Sequence, residues 1–218
     1  DAAILYKDIM SPMVAIGVNV DIKPGVGPVF DTPIRRIEDI ERLHQFDPTK
    51  VDYIAKTIEL LTEEILDVPL IGFCGAPFTI ASYLIEGGPT KSYNKTRGML
   101  ISEPDIWNGL MEKLADMSID YLAMQANAGA NALQIFDSWV GAVNSAEYEQ
   151  AIFPHMKRII STIKTRFPNL PLAMNGVGTD HLVPIWAKLP LDIIALDWRS
   201  SIGEANNRGV TQTVQGNL

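Results

Sequence analysis

The sequence predicts an α/β fold of the (β/α)8 TIM-barrel type, present as an incomplete barrel of about six βα units. The prediction depends on short apolar runs, each closed by small or polar residues, which recur at 2–8, 68–77, 130–138, 170–178, 191–198 and 210–217. Continuous apolar character is typical of strands buried on both faces, which are the strands of parallel sheets. The runs alternate with helical stretches, and this alternation is the pattern of a βα fold.

Helical stretches fill the intervals between the predicted strands. Residues 51–66 carry an apolar stripe at helical spacing, formed by Ile54, Ile58, Leu61 and Ile65. Further helices are predicted at 103–130, at 145–167 with a kink or break at Pro154, and in shorter form at 181–189 and 201–209. The stretch 17–36 is predicted to be a loop-rich hairpin insertion.

Two features favour an incomplete barrel over an open dinucleotide-binding sheet. No G-x-G-x-x-G loop follows a predicted strand. Instead, polar residues stand at the carboxyl ends of successive strands, namely Asp8, Asp137 with Ser138, Asn175, Asp197 and Asn217. Barrel enzymes gather their chemistry at this rim, so we expect these side chains to converge there.

Composition and charge exclude several classes of protein. Hydrophobic residues make up 47% of the chain and charged residues 20%, which suits one folded domain over 1–218. The net charge of -8 argues against a nucleic-acid partner. The apolar runs are far shorter than the roughly 20 residues of a membrane span, and no secretion leader opens the chain, so we expect a cytoplasmic protein.

Cysteine and histidine usage argues against a metal site. Cys74 is the one cysteine, so an internal disulfide and a set of thiolate zinc ligands are excluded, and a buried, inert thiol is expected. His44 and His155 are expected to be solvated, and His181 is expected to open a helix. None of the three histidines has metal-ligand spacing to another ligand type.

Two segments near predicted strand ends could carry chemistry. Asp8 could accept hydrogen bonds from a cationic or N–H-rich ligand, or act as an acid or base; the structural alternative is a cap on the next helix. The segment 72–88 combines glycines that permit close backbone approach with Phe73 and Phe78 as apolar walls and Tyr83 as a phenol for a carboxylate. Its structural alternative is a tight strand–loop–helix connection with core aromatics.

A third segment, 133–141, ends a strand with Phe136, Asp137, Ser138 and Trp139. The adjacent Asp and Ser could bind a polar ligand, but no histidine stands nearby to complete a nucleophile–base relay. Helix capping with a packed tryptophan explains the segment equally well. One rim position further along, we expect Asp197 and Arg199 to form an internal ion pair.

These segments resemble the uroporphyrinogen decarboxylase family. DAAILYKDI, GFCGAPFTIASYLIEGG, LQIFDSWVG, LDIIALDWR and TVQGNL all match blocks of that family in order and spacing, over essentially the whole chain. The resemblance implies a (β/α)8 barrel, a homodimer with facing clefts, and decarboxylation of the four acetate side chains of uroporphyrinogen without a cofactor. The product is coproporphyrinogen, and the partner is therefore a small-molecule tetrapyrrole.

The resemblance also assigns roles to residues of this chain. Asp8 matches the central aspartate of the family, expected to stabilise a protonated pyrrole by accepting bonds from pyrrole N–H groups. Tyr83 and Ser138 match a cleft tyrosine and a cleft serine that bind or orient substrate carboxylates. The apolar cleft lining is matched by Ile4, Tyr6, Phe73 and Phe136.

The sequence departs from the family in lacking its R-Q-A-G-R and G-H-G motifs. We therefore expect the chain to be the central part of the enzyme and to be inactive by itself. Two alternatives stay open: a zinc-dependent corrinoid methyltransferase of the same barrel superfamily, and an inactive binding fragment. A Schiff-base lyase would need a lysine at an interior strand end, where only Lys7 stands.

Overall fold

Eight strands lie within residues 1–217, the part of the chain that the computed structural model describes. They are β1 (Ala3–Ile4), β2 (Asp21–Lys23), β3 (Gly27–Val29), β4 (Leu70–Gly75), β5 (Ala132–Asp137), β6 (Leu172–Gly176), β7 (Ile193–Ala195) and β8 (Thr213–Gln215). Six of them form one parallel sheet in the order β1-β4-β5-β6-β7-β8. Each strand of this sheet falls in one of the predicted apolar runs. The antiparallel pair β2–β3 is the predicted hairpin within 17–36.

The helices occupy the intervals between the strands. They are α1 (Ile37–Glu41), α2 (Asp52–Leu60), α3 (Pro77–Glu86), α4 (Asn94–Ser102), α5 (Pro104–Asn127), α6 (Ser145–Ala151), α7 (Phe153–Arg166) and α8 (Val183–Trp186). The 145–167 stretch is divided at Ile152, two residues before Pro154, as predicted. Helix α4 has no counterpart in the prediction. None of these helices is long and apolar enough to cross a membrane.

The stripe predicted for 51–66 is only half correct. Ile54 and Ile58 are buried, whereas Ile65 is exposed. A π-helical turn, Leu61–Ile65, follows α2, and the N–H of Leu66 bonds the carbonyl of Leu61 five residues earlier at 2.8 Å. The extra residue in this turn rotates the later positions around the helix axis, so Ile65 leaves the buried face.

The helix predicted at 201–209 is wrong. Two separate 3₁₀ turns replace it, at Ile202–Glu204 and Asn206–Arg208. Glycine and asparagine have low helix propensity, and this stretch contains two of each. The stretch 181–189 contains the short helix α8, preceded by a 3₁₀ turn at Asp180–Leu182.

One buried side chain, that of Gln125, hydrogen-bonds helix α5 to the sheet. The amide of Gln125 accepts a hydrogen bond from the N–H of Phe73 and donates one to the carbonyl of Phe73, both at 2.9 Å. It therefore contacts β4 as a neighbouring peptide group would. This close approach requires Gly72, because a Cβ there would lie 2.7 Å from Oε1 of Gln125.

Candidate functional site

A cavity of about 280 Å³ lies at the carboxyl ends of β1, β4 and β5. Five of the residues expected in a substrate cleft line it: Ile4, Tyr6, Phe73, Phe136 and Ser138. They come from three segments separated by more than fifty residues in the chain, and the parallel sheet brings these segments side by side. Three further lining residues that were not expected there are Leu5, Lys7 and Ile9.

Two phenylalanines form the base of this cavity. Phe73 is paired with Gln134 across β4 and β5, and Phe136 lies two residues further along β5, so both rings project from the same face of the sheet. Their centroids are 5.4 Å apart at an interplanar angle of 84°. This edge-to-face arrangement is a favourable one for aromatic rings and makes a rigid apolar wall.

The β1 side of the cavity is more open. Ile4 is partly exposed and Tyr6 is fully exposed. They are two residues apart on an extended segment and can therefore present their side chains to the same side. The amine of Lys7 lies 3.9 Å from the centroid of the Tyr53 ring and donates a hydrogen bond to its hydroxyl.

Asp8 is exposed immediately beyond this segment. Its Oδ1 accepts a hydrogen bond from the N–H of Met10 at 2.7 Å, a local turn contact. Its Oδ2 has no hydrogen-bond partner within residues 1–217. Asp8 lines a second cavity, of about 260 Å³, together with Ser11, Val18 and neighbouring residues. The structure thus places Asp8 beside the first cavity and not in its lining.

Tyr83 projects from α3 and is half-buried. Its ring stacks on that of Trp139, and Tyr93 packs against the edge of the same indole. Burial raises the pKa of Tyr83, and the nearby charge of Asp8 raises it further. The phenol therefore keeps its proton at neutral pH and can donate it in a hydrogen bond to a carboxylate.

Ser138 and Asp137 point in different directions. Ser138 is half-buried and lines the cavity, whereas Asp137 is completely buried and accepts a hydrogen bond from the Thr79 hydroxyl at 2.8 Å. Burial raises the pKa of Asp137 to about 7. The expectation that Asp137 converges on the rim with Ser138 is therefore wrong, because its carboxyl group faces the interior.

Of the remaining rim residues, Asp197 and Asn217 are engaged in structural contacts. Asp197 forms the predicted ion pair with Arg199 at 2.7 Å, and Asn217 donates to the Asp197 carbonyl at 2.9 Å. Asn175 has a buried side-chain oxygen with no hydrogen-bond partner among the described residues. These positions do not converge on the 280 Å³ cavity, which belongs to the first three strands of the sheet.

The histidines and the cysteine have local environments of their own. Cys74 is buried, as expected, and burial raises the pKa of its thiol to about 12. His155 is half-buried, not solvated, and burial lowers its pKa. A ring nitrogen of His181 lies 2.8 Å from the Val143 carbonyl. Within residues 1–217, no group of three or more His, Cys, Asp or Glu side chains is placed to hold a metal ion.

Sequence patterns did not indicate two residues that support the site, Thr79 and Gln125. Thr79 and Tyr83 are four residues apart on α3, a spacing that puts them on one helix face, and both contact Trp139. Gln125 lies on the buried, largely apolar face of helix α5. A polar residue at a core position of the 103–130 pattern was the available signal for a buried hydrogen-bond contact.

The fold and the cleft at its strand ends define an α/β protein of the (β/α)8-barrel type. A methyltransferase from Methanosarcina mazei has the same architecture: the structures superpose with a TM-score of 0.79 at 16% identity, covering 100% of this chain and 64% of that protein. At this identity the similarity concerns the fold alone.

The family is shown by sequence. The family model for uroporphyrinogen decarboxylase (URO-D) matches residues 1–218, and the chain belongs to this family. It is 59% identical over 219 residues to the uroporphyrinogen decarboxylase of Bacillus subtilis (strain 168), and 58% identical to that of a Geobacillus species (strain WCH70). Each alignment covers 100% of the chain, which spans 62% and 63% of those two relatives.

Proposed function

We propose that the full-length protein decarboxylates the four acetate side chains of uroporphyrinogen III to give coproporphyrinogen III, without a cofactor. One observation within the family assignment supports this activity most strongly. Five of the seven side chains expected to contact the substrate line one cavity, and the other two, Asp8 and Tyr83, lie close enough for the charge of Asp8 to raise the Tyr83 pKa.

Decarboxylation leaves an electron pair that must be accepted, and the substrate itself accepts it. Protonation of a pyrrole ring makes it an electron sink. The bond between the acetate methylene and its carboxyl carbon then breaks, and CO₂ leaves while the electron pair neutralises the ring. The methylene carbon takes up a proton to become a methyl group, and the ring returns its own proton. Each cycle therefore consumes one proton and releases one CO₂.

Asp8 is proposed to stabilise the cationic ring. A carboxylate that accepts hydrogen bonds from pyrrole N–H groups lowers the energy of positive charge in the macrocycle, and it does so most strongly where water is excluded. The bond from Met10 holds Oδ1 in place, which leaves Oδ2 for the ligand. Loss of one preorganised contact of this kind typically costs ~3–4 kcal/mol of transition-state stabilisation.

Tyr83 and Ser138 are proposed to bind substrate carboxylates. Each has a hydroxyl donor beside an apolar surface, and Lys7 adds a cationic side chain to the lining. A macrocycle is proposed to rest against Ile4, Tyr6, Phe73 and Phe136. Local donors and local positive charge are needed because the chain as a whole carries a net charge of -8, the same sign as the substrate.

The remaining expectations also belong to the whole protein. We propose that residues 1–218 form the middle part of a single barrel domain, that the full-length enzyme is a cytoplasmic homodimer, and that the 218-residue chain is inactive by itself. Uroporphyrinogen decarboxylation by a polypeptide of the relatives' full length, with none by the 218-residue chain, is the expected pattern.

The decisive assay is anaerobic conversion of uroporphyrinogen III, with products oxidised and separated by carboxylate number. The full-length polypeptide is expected to remove carboxylates one at a time from eight to four. Absence of any decarboxylated product, including the four-carboxylate compound, would refute the proposal. Metal analysis of the same sample then tests the zinc-dependent methyltransferase, which the buried thiol of Cys74 disfavours because a cysteine binds zinc as its thiolate.

A further inference from the structure

Asp137 lies directly behind the proposed site, and the mechanism gives it no role. It is the last residue of β5, its side chain has no exposure to solvent, and it precedes Ser138, which lines the cavity. One carboxyl oxygen accepts the Thr79 hydroxyl at 2.8 Å, and the other is buried without a partner. A buried carboxyl group with one orphaned oxygen is costly unless that oxygen carries a proton.

A short hydrogen-bond chain connects this carboxyl group to the site. The backbone N–H of Trp139 donates to the Thr79 hydroxyl oxygen at 3.2 Å, and the same hydroxyl donates its own proton to Oδ1 of Asp137. Thr79 thus uses both its donor and its acceptor capacity. The turn that contains Ser138 is held at both ends, by Asp137 on one side and by Trp139 on the other.

The chain reaches Tyr83 through the tryptophan ring. Thr79 and Tyr83 lie one helical turn apart on α3; the first binds the backbone of Trp139 and the second stacks on its indole. Displacement of the Trp139 backbone would therefore move Ser138, its neighbour in the chain. It would also free Tyr83, which would lose its stacking partner. These are the two side chains proposed to hold substrate carboxylates.

We propose that Asp137, as a neutral carboxylic acid bonded to Thr79, is a positioning residue that fixes the Ser138–Trp139 turn and thereby places the Ser138 and Tyr83 hydroxyls for substrate binding. This inference rests on the proposed decarboxylase function and adds that substrate binding depends on the protonation state of Asp137. The described titratable groups that face Asp137 are Cys74 on β4 and Tyr148 on α6. Burial raises the pKa of both, so both are neutral at pH 7 and neither offers a counter-charge.

The consequence of ionisation follows from this environment. Burial raises the pKa of Asp137 to about 7, so the acid is neutral at pH 6 for the most part, half ionised near pH 7 and largely ionised above that. A carboxylate there has donors only from Thr79, through its hydroxyl and its backbone N–H, and no cation faces it among the described residues. We expect the charged side chain to loosen the turn, because burying a charge without a counter-charge is costly.

The experiment compares matched variants of the full-length polypeptide in the uroporphyrinogen III assay between pH 6 and 9. Thr79→Val removes the hydroxyl but keeps the shape, and should raise KM about five- to tenfold, the effect of about one neutral hydrogen bond, with little change in kcat. Thr79→Ser restores the hydroxyl and should stay within about twofold of wild type. Thr165→Val, an exposed threonine whose hydroxyl bonds only its own helix, is the control and should leave KM unchanged.

Asp137→Asn tests the protonation state. The amide keeps an acceptor for Thr79 and cannot ionise, so its KM should match wild type at pH 6 and should not share the rise of the wild-type KM above pH 7. Equal KM values for Thr79→Val, Thr79→Ser and wild type would overturn the inference, as would identical pH profiles for Asp137→Asn and wild type. A mere loss of folded protein would instead lower the apparent kcat at constant KM.

A second readout separates this inference from the proposed function. Near-ultraviolet circular dichroism reports the stacked Tyr83 and Trp139 rings without any reaction. If the full-length polypeptide binds and decarboxylates no uroporphyrinogen, the proposed function fails, and the positioning role is then judged by this signal alone. The signal should weaken in Thr79→Val and persist in Thr79→Ser; equal signals in the two variants would contradict the role.

Discussion

The rings of Tyr83 and Trp139 stack with centroids 3.8 Å apart and an interplanar angle of 31°. Tyr83 comes from α3 and Trp139 from the turn after β5, so the contact joins two neighbouring βα connections above the sheet. It orients a phenol that would otherwise rotate freely at a half-buried position.

Trp139→Leu should free the Tyr83 ring while retaining an apolar side chain. We expect a loss of about 1 kcal/mol of stability from the aromatic contact, in addition to the loss of buried area, and a rise in KM with a smaller change in kcat. Thermal unfolding and steady-state kinetics of the full-length polypeptide measure both effects. Trp198→Leu, at an exposed indole outside this contact, is the matched control; a similar KM change in both variants would contradict the orienting role of Trp139.

Gln125→Leu should destabilise the protein through β4. The substitution leaves the N–H and the carbonyl of Phe73 buried without partners, and each such group costs about 1–3 kcal/mol. Denaturant unfolding should therefore show a loss of at least about 2 kcal/mol. A loss of less than half that amount would mean that water or another side chain replaces the amide.

Gly72→Ala and Gly98→Ala should have opposite effects on the free energy of unfolding. A methyl group at Gly72 would meet the Gln125 amide oxygen at 2.7 Å, so the amide must move and Phe73 loses its partners. Gly98 lies in α4 with nothing within 4 Å of a Cβ, and alanine there should stabilise the helix by roughly 0.5–1 kcal/mol. If both substitutions raised the free energy of unfolding, the side chains around Gly72 would have to move aside for the methyl group at no net cost.

Asp137 should make stability fall as pH rises. Its pKa is about 7 in the folded protein against an ordinary value of 3.8, so between these values the folded state binds the extra proton. The free energy of unfolding should thus decrease with rising pH over that window, by up to about 1.4 kcal/mol per pH unit, and level off above pH 7. Below pH 3.8 the contribution is fully present.

The difference in unfolding free energy between wild type and Asp137→Asn isolates this effect, because all other titrating groups cancel. It should shift in favour of the variant from pH 4 to pH 7 and stay constant beyond. A difference that does not change with pH would mean that Asp137 ionises in the same range when folded and unfolded.

The six strands of the parallel sheet were predictable because each lies in a run rich in apolar residues, although β1 and β8 at the two edges of the sheet are partly exposed. The π-helical turn after α2 was not predictable, because one inserted residue leaves no mark in composition. This turn places Ile65 at the surface. The 3₁₀ turns at 201–209 show the opposite case, where the local propensities of glycine and asparagine were the better guide.

The site was predictable in part for a similar reason. Ile4, Phe73 and Phe136 belong to strands, so their place in the sheet follows from strand order, and alternation then sets the face on which they lie. The direction of Asp137 could not be deduced, because a polar residue at a strand end can face the rim or the interior. Only the hydroxyl of Thr79, 58 residues earlier in the chain, makes the interior acceptable to a carboxyl group.

The proposal that Asp8 stabilises the cationic intermediate is tested most directly by the turnover of Asp8→Ala in the full-length polypeptide. Asp67→Ala is the matched control, because Asp67 is an exposed carboxylate at the opposite, amino-terminal end of β4. We predict that Asp8→Ala lowers kcat for uroporphyrinogen III at least about a hundredfold while its unfolding temperature stays at that of the control. Near wild-type turnover by a folded Asp8→Ala variant would contradict the account.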